Sequence, residues 1–471
     1  MMSADTDDRA RTAVEQYGVE YIPEEDRTSR PLNLFTNLFG SNLTFAAILL
    51  GYVQATLGLS WWATFSAIIA GTAVGAVILA PTALLGPRTG TNGPVSAGVF
   101  FGVIGRLNGT LISVCASVGF FAISVWTGGQ VIVYGGHQLF GMSDGKVALA
   151  ISYALMAIVC AYTTIVGHDH LVRLNRWLIP TAGTLILIGF FVYAGRFHNH
   201  QLSPSYALGG YWPTWTLAMT IGAASVFGYS IFTNDWTRYI SRRRHSDLRV
   251  AGALGLGGFL GVAFSMTFGA FTAYAIGNLN SDYISGLMGI TPTAFMVPVI
   301  LIGFAGTLGQ GALCLYGSGL DLASILRRIS RPVATLILSG VAVVFVYLGG
   351  LVWNIKSSVE ALVTILGVVT AAWAGIVIAG LIRQRGDYDV RDLQVFNEGR
   401  RGGKYWYWGG VNAAGMTAWV AGSVVGLMFY RSSVFSGPWS MLANGVNLSW
   451  LSAGVVAGVL YPILSRLIPG Q

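Results

Sequence analysis

The sequence predicts an all-α polytopic membrane protein with twelve transmembrane helices. Of its 471 residues, 54% are hydrophobic and only 10% are charged, which leaves no room for a sizeable soluble domain. Twelve apolar segments follow one another, and basic residues concentrate in every second connection between them. Each segment is about as long as a helix needs to cross a ~30 Å hydrocarbon core. We place the spans at residues 33–57, 62–85, 108–137, 147–166, 174–194, 213–233, 250–277, 294–320, 332–350, 355–382, 407–429 and 447–465.

The connections between the spans predict the orientation of the protein. The N-terminal tail, the even-numbered connections and the C-terminus hold 23 of the 27 Lys and Arg residues, and the odd-numbered connections hold Lys146, Arg196, Lys356 and Arg431. Because basic loops remain in the cytoplasm, both termini are predicted to be cytoplasmic, in a multi-pass protein of the cell (plasma) membrane. The net charge of +8 then faces the headgroups of the lipid bilayer, and no nucleic acid partner is predicted.

Spans one and six are interrupted by polar and glycine residues where a spanning helix should be most apolar. Span one contains Gly40-Ser41-Asn42, and span six contains Phe227-Gly228. The two spans lie five helices apart, so they occupy corresponding places in two consecutive five-helix units of opposite topology. Interrupted helices at matching places point to a midplane substrate site in secondary transporters. The alternative is that these glycines only allow close helix packing.

Span three carries a second candidate feature of a binding site. Phe120, Ser124 and Thr127 recur at positions i, i+4 and i+7, which places them on one face of the helix. An aromatic ring one turn from a hydroxyl suits a planar heterocycle, because the ring stacks on it and the hydroxyl bonds to its edge. Packing against a neighbouring helix is the alternative interpretation of the same stripe.

Few ionisable residues lie inside the spans. Glu360 lies about a turn into span ten, and Asp235 and Asp321 lie near the cytoplasmic ends of spans six and eight. A buried carboxylate is costly unless it is paired or protonated, so each is a functional candidate. For Glu360 the alternative is a structural pair with Lys356 at i−4. We find no nucleophile–base pair and no metal-ligand cluster in any span, so neither an enzyme nor a cofactor is predicted.

Several motifs resemble the purine-cytosine permeases, a branch of the nucleobase:cation symporter-1 family. The motifs occur in the same order as in that family and extend over essentially the whole chain from Val14 onward. They are found at Val14–Arg27, Asn42–Thr44, Gly86–Gly90, Phe101–Gly105, Asn234–Tyr239, Leu315–Asp321, Trp373–Ile376 and Arg383–Leu393.

The resemblance implies a LeuT-type fold, with a 5+5 inverted repeat, broken helices 1 and 6, and two peripheral helices. It also implies inward transport of cytosine or purines with a cation, by alternating access. In this family an aromatic residue of span three stacks on the base, and Phe120 after Gly119 matches that place, where Trp is more usual. Ser124 matches the polar position one turn later. The aromatic residue of span six corresponds to Phe227 or its immediate neighbour.

Span eight departs from the family pattern. Sodium-coupled relatives have two adjacent hydroxyl residues six and seven positions before the tyrosine, and counting back from Tyr316 gives Gln310 and Gly309. Without those oxygens a sodium site is poor, so the co-transported cation is predicted to be a proton rather than sodium. Gln310 is then available to bond to a base edge. Cys314 also stands where asparagine is commoner.

Taken together, the sequence predicts a secondary active importer of a nucleobase. The predicted substrate-binding residues are Phe120 and Phe227 on the two faces of the ring, Ser124, Gln310 and Asn42 at its edges, and Gly40 in the interruption of span one. Glu360 and Asp235 are the candidates for coupling. Other substrates in the same fold stay open, namely a hydantoin, allantoin, uracil or a vitamin precursor, with sodium as the coupling ion. A receptor that transports nothing is a further alternative.

We divide the chain into four parts. The sequence predicts a cytoplasmic polar tail at residues 1–32, a transporter core of helices 1–10 at 33–382, a cytoplasmic loop at 383–406, and peripheral helices 11 and 12 with the C-terminus at 407–471. The sequence identifies no protein partner.

Overall fold

The structure, a computed structural model, describes residues 20–166, 168–277, 282–326, 329–351, 355–384, 388–432 and 435–468. Residues 14–19 of the N-terminal motif lie outside the described residues. Within these ranges every continuous element is helical, and β-structure is limited to isolated bridges such as that between Thr28 and Ile240. The all-α fold class is confirmed.

Each predicted span coincides with a helix or an interrupted helix in the described part of the chain. There, eight helices are by themselves long and apolar enough to cross a membrane, and the bent pair at span one is a ninth candidate. Spans five and eleven contain shorter apolar helical stretches. In order, the helices are Pro31–Ser41 with Phe45–Ala55, Trp61–Thr82, Leu107–Phe140, Lys146–Val166, His168–Ala194, Tyr211–Phe227, Asp247–Ile276, Thr293–Gly306 with Ala312–Ile325, Arg331–Leu351, Ile355–Arg383, Ala413–Met428 and Ser449–Leu467.

Span one is broken as predicted. Its two halves meet at an angle of 60°. The side chain of Asn42 donates to the carbonyl of Leu38 at 2.7 Å and so satisfies an acceptor at the end of the first half. Thr44 caps the second half by accepting from the N–H of Ala47 at 3.3 Å. The break is stable because polar side chains replace the backbone hydrogen bonds that it removes.

Spans six and eight are also irregular. The helix of span six ends at Phe227 and continues as a 3-10 turn, Gly228–Ile231, and a short helix, Thr233–Thr237. Span eight contains a π-helical turn at Thr307–Gly311, which the sequence analysis did not predict. Turns of this type widen a helix locally and are frequent at functional sites.

Three connections differ from the prediction. The connection after span two folds into two short helices, Leu85–Thr89 and Gly93–Phe101, and the second is buried throughout. The connection before span five is helical from His168 onward. Span eleven begins at Ala413 rather than at residue 407, because Gly409 and Gly410 have φ values of 57° and 89° that end any helix there.

Close packing between the spans positions the interrupted segments. Spans two and six touch at Gly71, where an added Cβ would lie 2.2 Å from the carbonyl oxygen of Met219. Spans one and seven touch at Gly269, where the corresponding distance to the carbonyl oxygen of Ile48 is 1.8 Å. Spans eleven and twelve pack against each other and against span ten.

Candidate functional site

A cavity lies where the interrupted parts of spans one, six and eight meet spans three, seven and ten. The cavity has a volume of about 80 Å³, several times the roughly 10–15 Å³ that one water needs. The cavity therefore has room for a small ring compound. Its wall is mostly apolar with a few polar groups, as is typical of ligand sites, and consists of Ser41, Asn42, Ala47, Leu50, Ala116, Ser117, Phe120, Ala224, Ser225, Gly228, Tyr229, Phe232, Trp236, Val262, Met266, Gln310, Leu313, Cys314, Val363, Leu366, Gly367 and Thr370.

A hydrogen bond joins the breaks of spans one and six at the cavity wall. The Tyr229 hydroxyl, in the 3-10 turn, donates to Asn42 Oδ1 at 2.9 Å. The backbone carbonyl of Asn42 accepts from Ser265 of span seven at 2.7 Å. Asn42 thus ties together three spans, and any ligand beside it lies next to the two interruptions.

The π-helical turn of span eight brings Gln310 to the same wall. Its side chain is only 5% exposed, and its Oε1 accepts from the Thr44 hydroxyl of span one at 2.6 Å. Its Nε2 donates no hydrogen bond among the described residues. The amide N–H groups are therefore available to a ligand in the cavity.

Three of the six residues predicted to bind substrate line the cavity. Phe120 is half-buried and presents its ring from span three, while Asn42 and Gln310 supply amide groups from spans one and eight. An aromatic surface beside amide groups can hold a planar ring by stacking and bond to its edge.

The other three lie outside that wall. The Ser124 hydroxyl donates to the carbonyl of Phe120 at 2.8 Å, within its own helix. Phe227 is fully buried and packs against Trp450 of span twelve, with ring centroids 5.9 Å apart. Gly40 lines a smaller neighbouring cavity. The structure therefore does not place Phe227 opposite Phe120 across the cavity, and Tyr229 is the aromatic residue of the span-six break that lines it.

Sequence reasoning missed Ser117 and Tyr229. Ser117 is buried, lines the cavity, and has a hydroxyl with no hydrogen-bond partner among the described residues. It precedes Phe120 by three residues, so its place on the same helix face could have been recognised from spacing alone. Tyr229 could not, because the 3-10 turn alters the rotation per residue after Phe227.

The candidate coupling carboxylates occupy different environments. Glu360 is 4% exposed and precedes the wall residues Val363 and Gly367 by three and seven positions, but it is not itself part of the wall. It lies close enough to Tyr430, which is hydrogen-bonded to Thr364, for its charge to act there. Asp235 accepts from the N–H of Gly93 at 2.8 Å, in the connection after span two. Asp321 accepts from the hydroxyl of Ser113.

Comparison with known proteins identifies what this arrangement is similar to. The family model described as "Permease for cytosine/purines, uracil, thiamine, allantoin" matches residues 21–452. A Bacillus subtilis (strain 168) protein named "Putative purine-cytosine permease YxlA" is 22% identical over 468 residues, covering 96% of both chains. The "Purine-uracil permease NCS1" of Arabidopsis thaliana is 23% identical over 454 residues, covering 87% of this chain and 71% of its own.

Solved structures of Mhp1 have the same fold. Its inward-facing conformation superposes with a TM-score of 0.75 at 17% identity, covering 97% of this chain and 96% of Mhp1. A closed conformation of Mhp1, described as a nucleobase-cation-symport-1 family transporter with bromovinylhydantoin bound, gives a TM-score of 0.72 at 19% identity and covers 98% of both chains. At these identities the likeness establishes the fold, which confirms the predicted LeuT-type arrangement.

Proposed function

Because the chain belongs to the family of permeases for cytosine/purines, uracil, thiamine and allantoin, we propose that it imports a nucleobase, cytosine or a purine, by symport with a cation. It is a multi-pass membrane transporter and not an enzyme. The cell membrane, with both termini in the cytoplasm, is the proposed location, which the distribution of basic residues supports.

One observation carries the substrate proposal. The half-buried ring of Phe120 and the amides of Asn42 and Gln310 border one cavity at the interrupted parts of spans one and eight. Stacking on an aromatic ring is tolerant of the base, whereas hydrogen bonds at the edge select among bases. Ser124, Phe227 and Gly40 lie just beyond this wall and would take part only after a change in conformation.

A proton is the proposed coupling ion. The small cavity beside span one, where Gly40 and Gly309 lie, is lined by only two side-chain oxygens, those of Ser41 and Thr44. The Thr44 oxygen already accepts from the N–H of Ala47, which leaves it fewer lone pairs for a cation. Sodium requires several oxygens at short range, so the small number of side-chain oxygens supports proton coupling.

Glu360 is the proposed proton carrier. It is buried in span ten, about one turn before the wall residue Val363. An ionisable residue inside a transmembrane span is costly and is therefore a functional candidate. Asp235 is the second candidate, although its bond to the Gly93 N–H ties it to a cytoplasmic connection.

The test is initial-rate uptake of radiolabelled cytosine into proteoliposomes, with a proton gradient and a sodium gradient imposed separately. The proposal predicts uptake that is driven by the proton gradient and inhibited by unlabelled purines. Uptake driven only by sodium would overturn the coupling assignment, and no uptake under either gradient would overturn the substrate assignment.

A different ring compound is the second candidate. The Mhp1 structure with bromovinylhydantoin bound and the name of the Arabidopsis relative favour it, because both name compounds outside the cytosine and purine class. Competition by hydantoin, allantoin and uracil against labelled cytosine distinguishes the candidates.

A further inference from the structure

The cavity wall presents its two amide groups with one polarity. The oxygen of Gln310 accepts from the Thr44 hydroxyl at 2.6 Å, and the oxygen of Asn42 accepts from the Tyr229 hydroxyl at 2.9 Å. Each amide oxygen therefore already accepts one hydrogen bond from a hydroxyl of the protein and keeps a single lone pair. The N–H groups, which are donors, are what the two amides offer a ligand most readily.

The geometry around Thr44 fixes the polarity of Gln310. The Thr44 oxygen accepts from the backbone N–H of Ala47 at 3.3 Å, as the cap of the second half of span one. Its proton is directed to Gln310, whose oxygen accepts it. A flipped amide would place N–H opposite the hydroxyl, and the Thr44 proton would then have no acceptor at that position.

A separate contact fixes the polarity of Asn42. Its Nδ2 donates to the Leu38 carbonyl at 2.7 Å, in the last turn of the first half of span one. Its oxygen is therefore the atom that faces Tyr229. The amide keeps a second N–H, and the residue lines the cavity. Two independent contacts thus produce the same result at two positions of the wall.

We propose that this polarity makes the site select heterocycles whose edge carries two adjacent hydrogen-bond acceptors. Cytosine has such an edge at N3 and O2, and hypoxanthine and guanine have one at O6 and N7. Uracil and hydantoin place an N–H between two carbonyls, and adenine places an amino group beside N7. That N–H would face an amide N–H, and both donors would lose their hydrogen bonds on binding.

The inference rests on the proposed function and narrows its substrate class. Thr44 and Tyr229 act in it as positioning residues, because they determine which atom of each amide the ligand meets. Thr44→Val removes the hydroxyl and lets Gln310 turn its oxygen toward the cavity. Tyr229→Phe leaves the Asn42 oxygen free to accept. Each change adds an acceptor and should admit uracil.

The experiment measures binding to the purified full-length protein in detergent, by scintillation proximity with labelled cytosine. Unlabelled hypoxanthine and uracil compete in parallel, and transport is recorded separately in proteoliposomes. Thr44→Ser keeps the hydroxyl and is the rescue variant. Thr72→Val is the matched control, because Thr72 is buried and bonds only to carbonyls of its own helix.

In the wild type, uracil should compete roughly ten- to a hundredfold less well than hypoxanthine. Thr44→Val or Tyr229→Phe should reduce that ratio by about tenfold, and the serine and Thr72 variants should retain it. A general loss of packing would weaken the binding of both competitors and leave the ratio of their affinities unchanged. A change in that ratio therefore reports on the orientation of the amide groups.

Three outcomes separate the two proposals. Transport of cytosine without the predicted ratio, or with a ratio that neither variant changes, overturns the inference and leaves the proposed function intact. The predicted ratio without transport supports the inference and overturns the proposed function. No binding of any base overturns both. If Thr44→Val fails to fold, Tyr229→Phe provides the same test.

Discussion

Phe120 gives the sharpest prediction about the substrate site. Its half-buried ring faces the cavity, so Phe120→Ala removes the aromatic surface on which a base would stack. Stacking of a base on an aromatic side chain is worth about 1–3 kcal/mol. Since 1.4 kcal/mol is a factor of ten, the KM for uptake should rise by roughly 5- to 140-fold, whereas Phe120→Trp should retain uptake.

The assay is initial-rate uptake in proteoliposomes over a range of substrate concentrations, normalised to the amount of protein inserted. Phe191→Ala is the matched control. Phe191 is 77% exposed on the outer surface of span five, so this substitution removes a ring of the same size at a place outside the cavity wall. A KM for Phe120→Ala within about twofold of that of the Phe191 variant would refute the stacking role.

Three further predictions address coupling, recognition and packing. Glu360→Gln should abolish accumulation driven by a proton gradient but preserve exchange of labelled for unlabelled base, and loss of both activities equally would argue for a structural role. Ser117→Ala should weaken base binding about tenfold if the Ser117 hydroxyl bonds to the substrate. It should not lower the melting temperature, because that hydroxyl has no protein partner among the described residues. Unchanged affinity would exclude the contact with the substrate. Gly269→Ala should lower the free energy of unfolding by about 1–3 kcal/mol or more, since the added Cβ would lie 1.8 Å from the Ile48 carbonyl oxygen. Gly252→Ala in the same helix is the control, because no atom lies within 4 Å of the Cβ added there. Equal melting temperatures of the two variants would contradict the packing described.

The order and positions of the transmembrane helices could be predicted because they depend on composition and charge. Lipid requires about twenty apolar residues for each span, and that requirement is visible in any sequence window. The break in span one could also be predicted from the sequence, since the side chains of a run such as Gly40-Ser41-Asn42 compete with the helix backbone for hydrogen bonds.

The orientation of individual side chains at the site was harder to predict from the sequence. Ser124 has the spacing of a cavity residue, yet its hydroxyl turns back to the Phe120 carbonyl, as serine in a helix often does. Phe227 precedes a 3-10 turn, and the altered rotation after it brings Tyr229 to the wall. The π-helical turn that positions Gln310 has no composition signal of its own, because it depends on contacts with Thr44 and the neighbouring spans.

The most direct test of the central claim is accumulation of labelled cytosine in proteoliposomes with an inward proton gradient, compared with the same vesicles after an uncoupler is added. Proton symport predicts an internal concentration above the external one, by up to about tenfold for each pH unit at one proton per substrate, and its collapse on addition of the uncoupler. An internal concentration that never exceeds the external one, with or without the uncoupler, would contradict secondary active transport of cytosine by this protein.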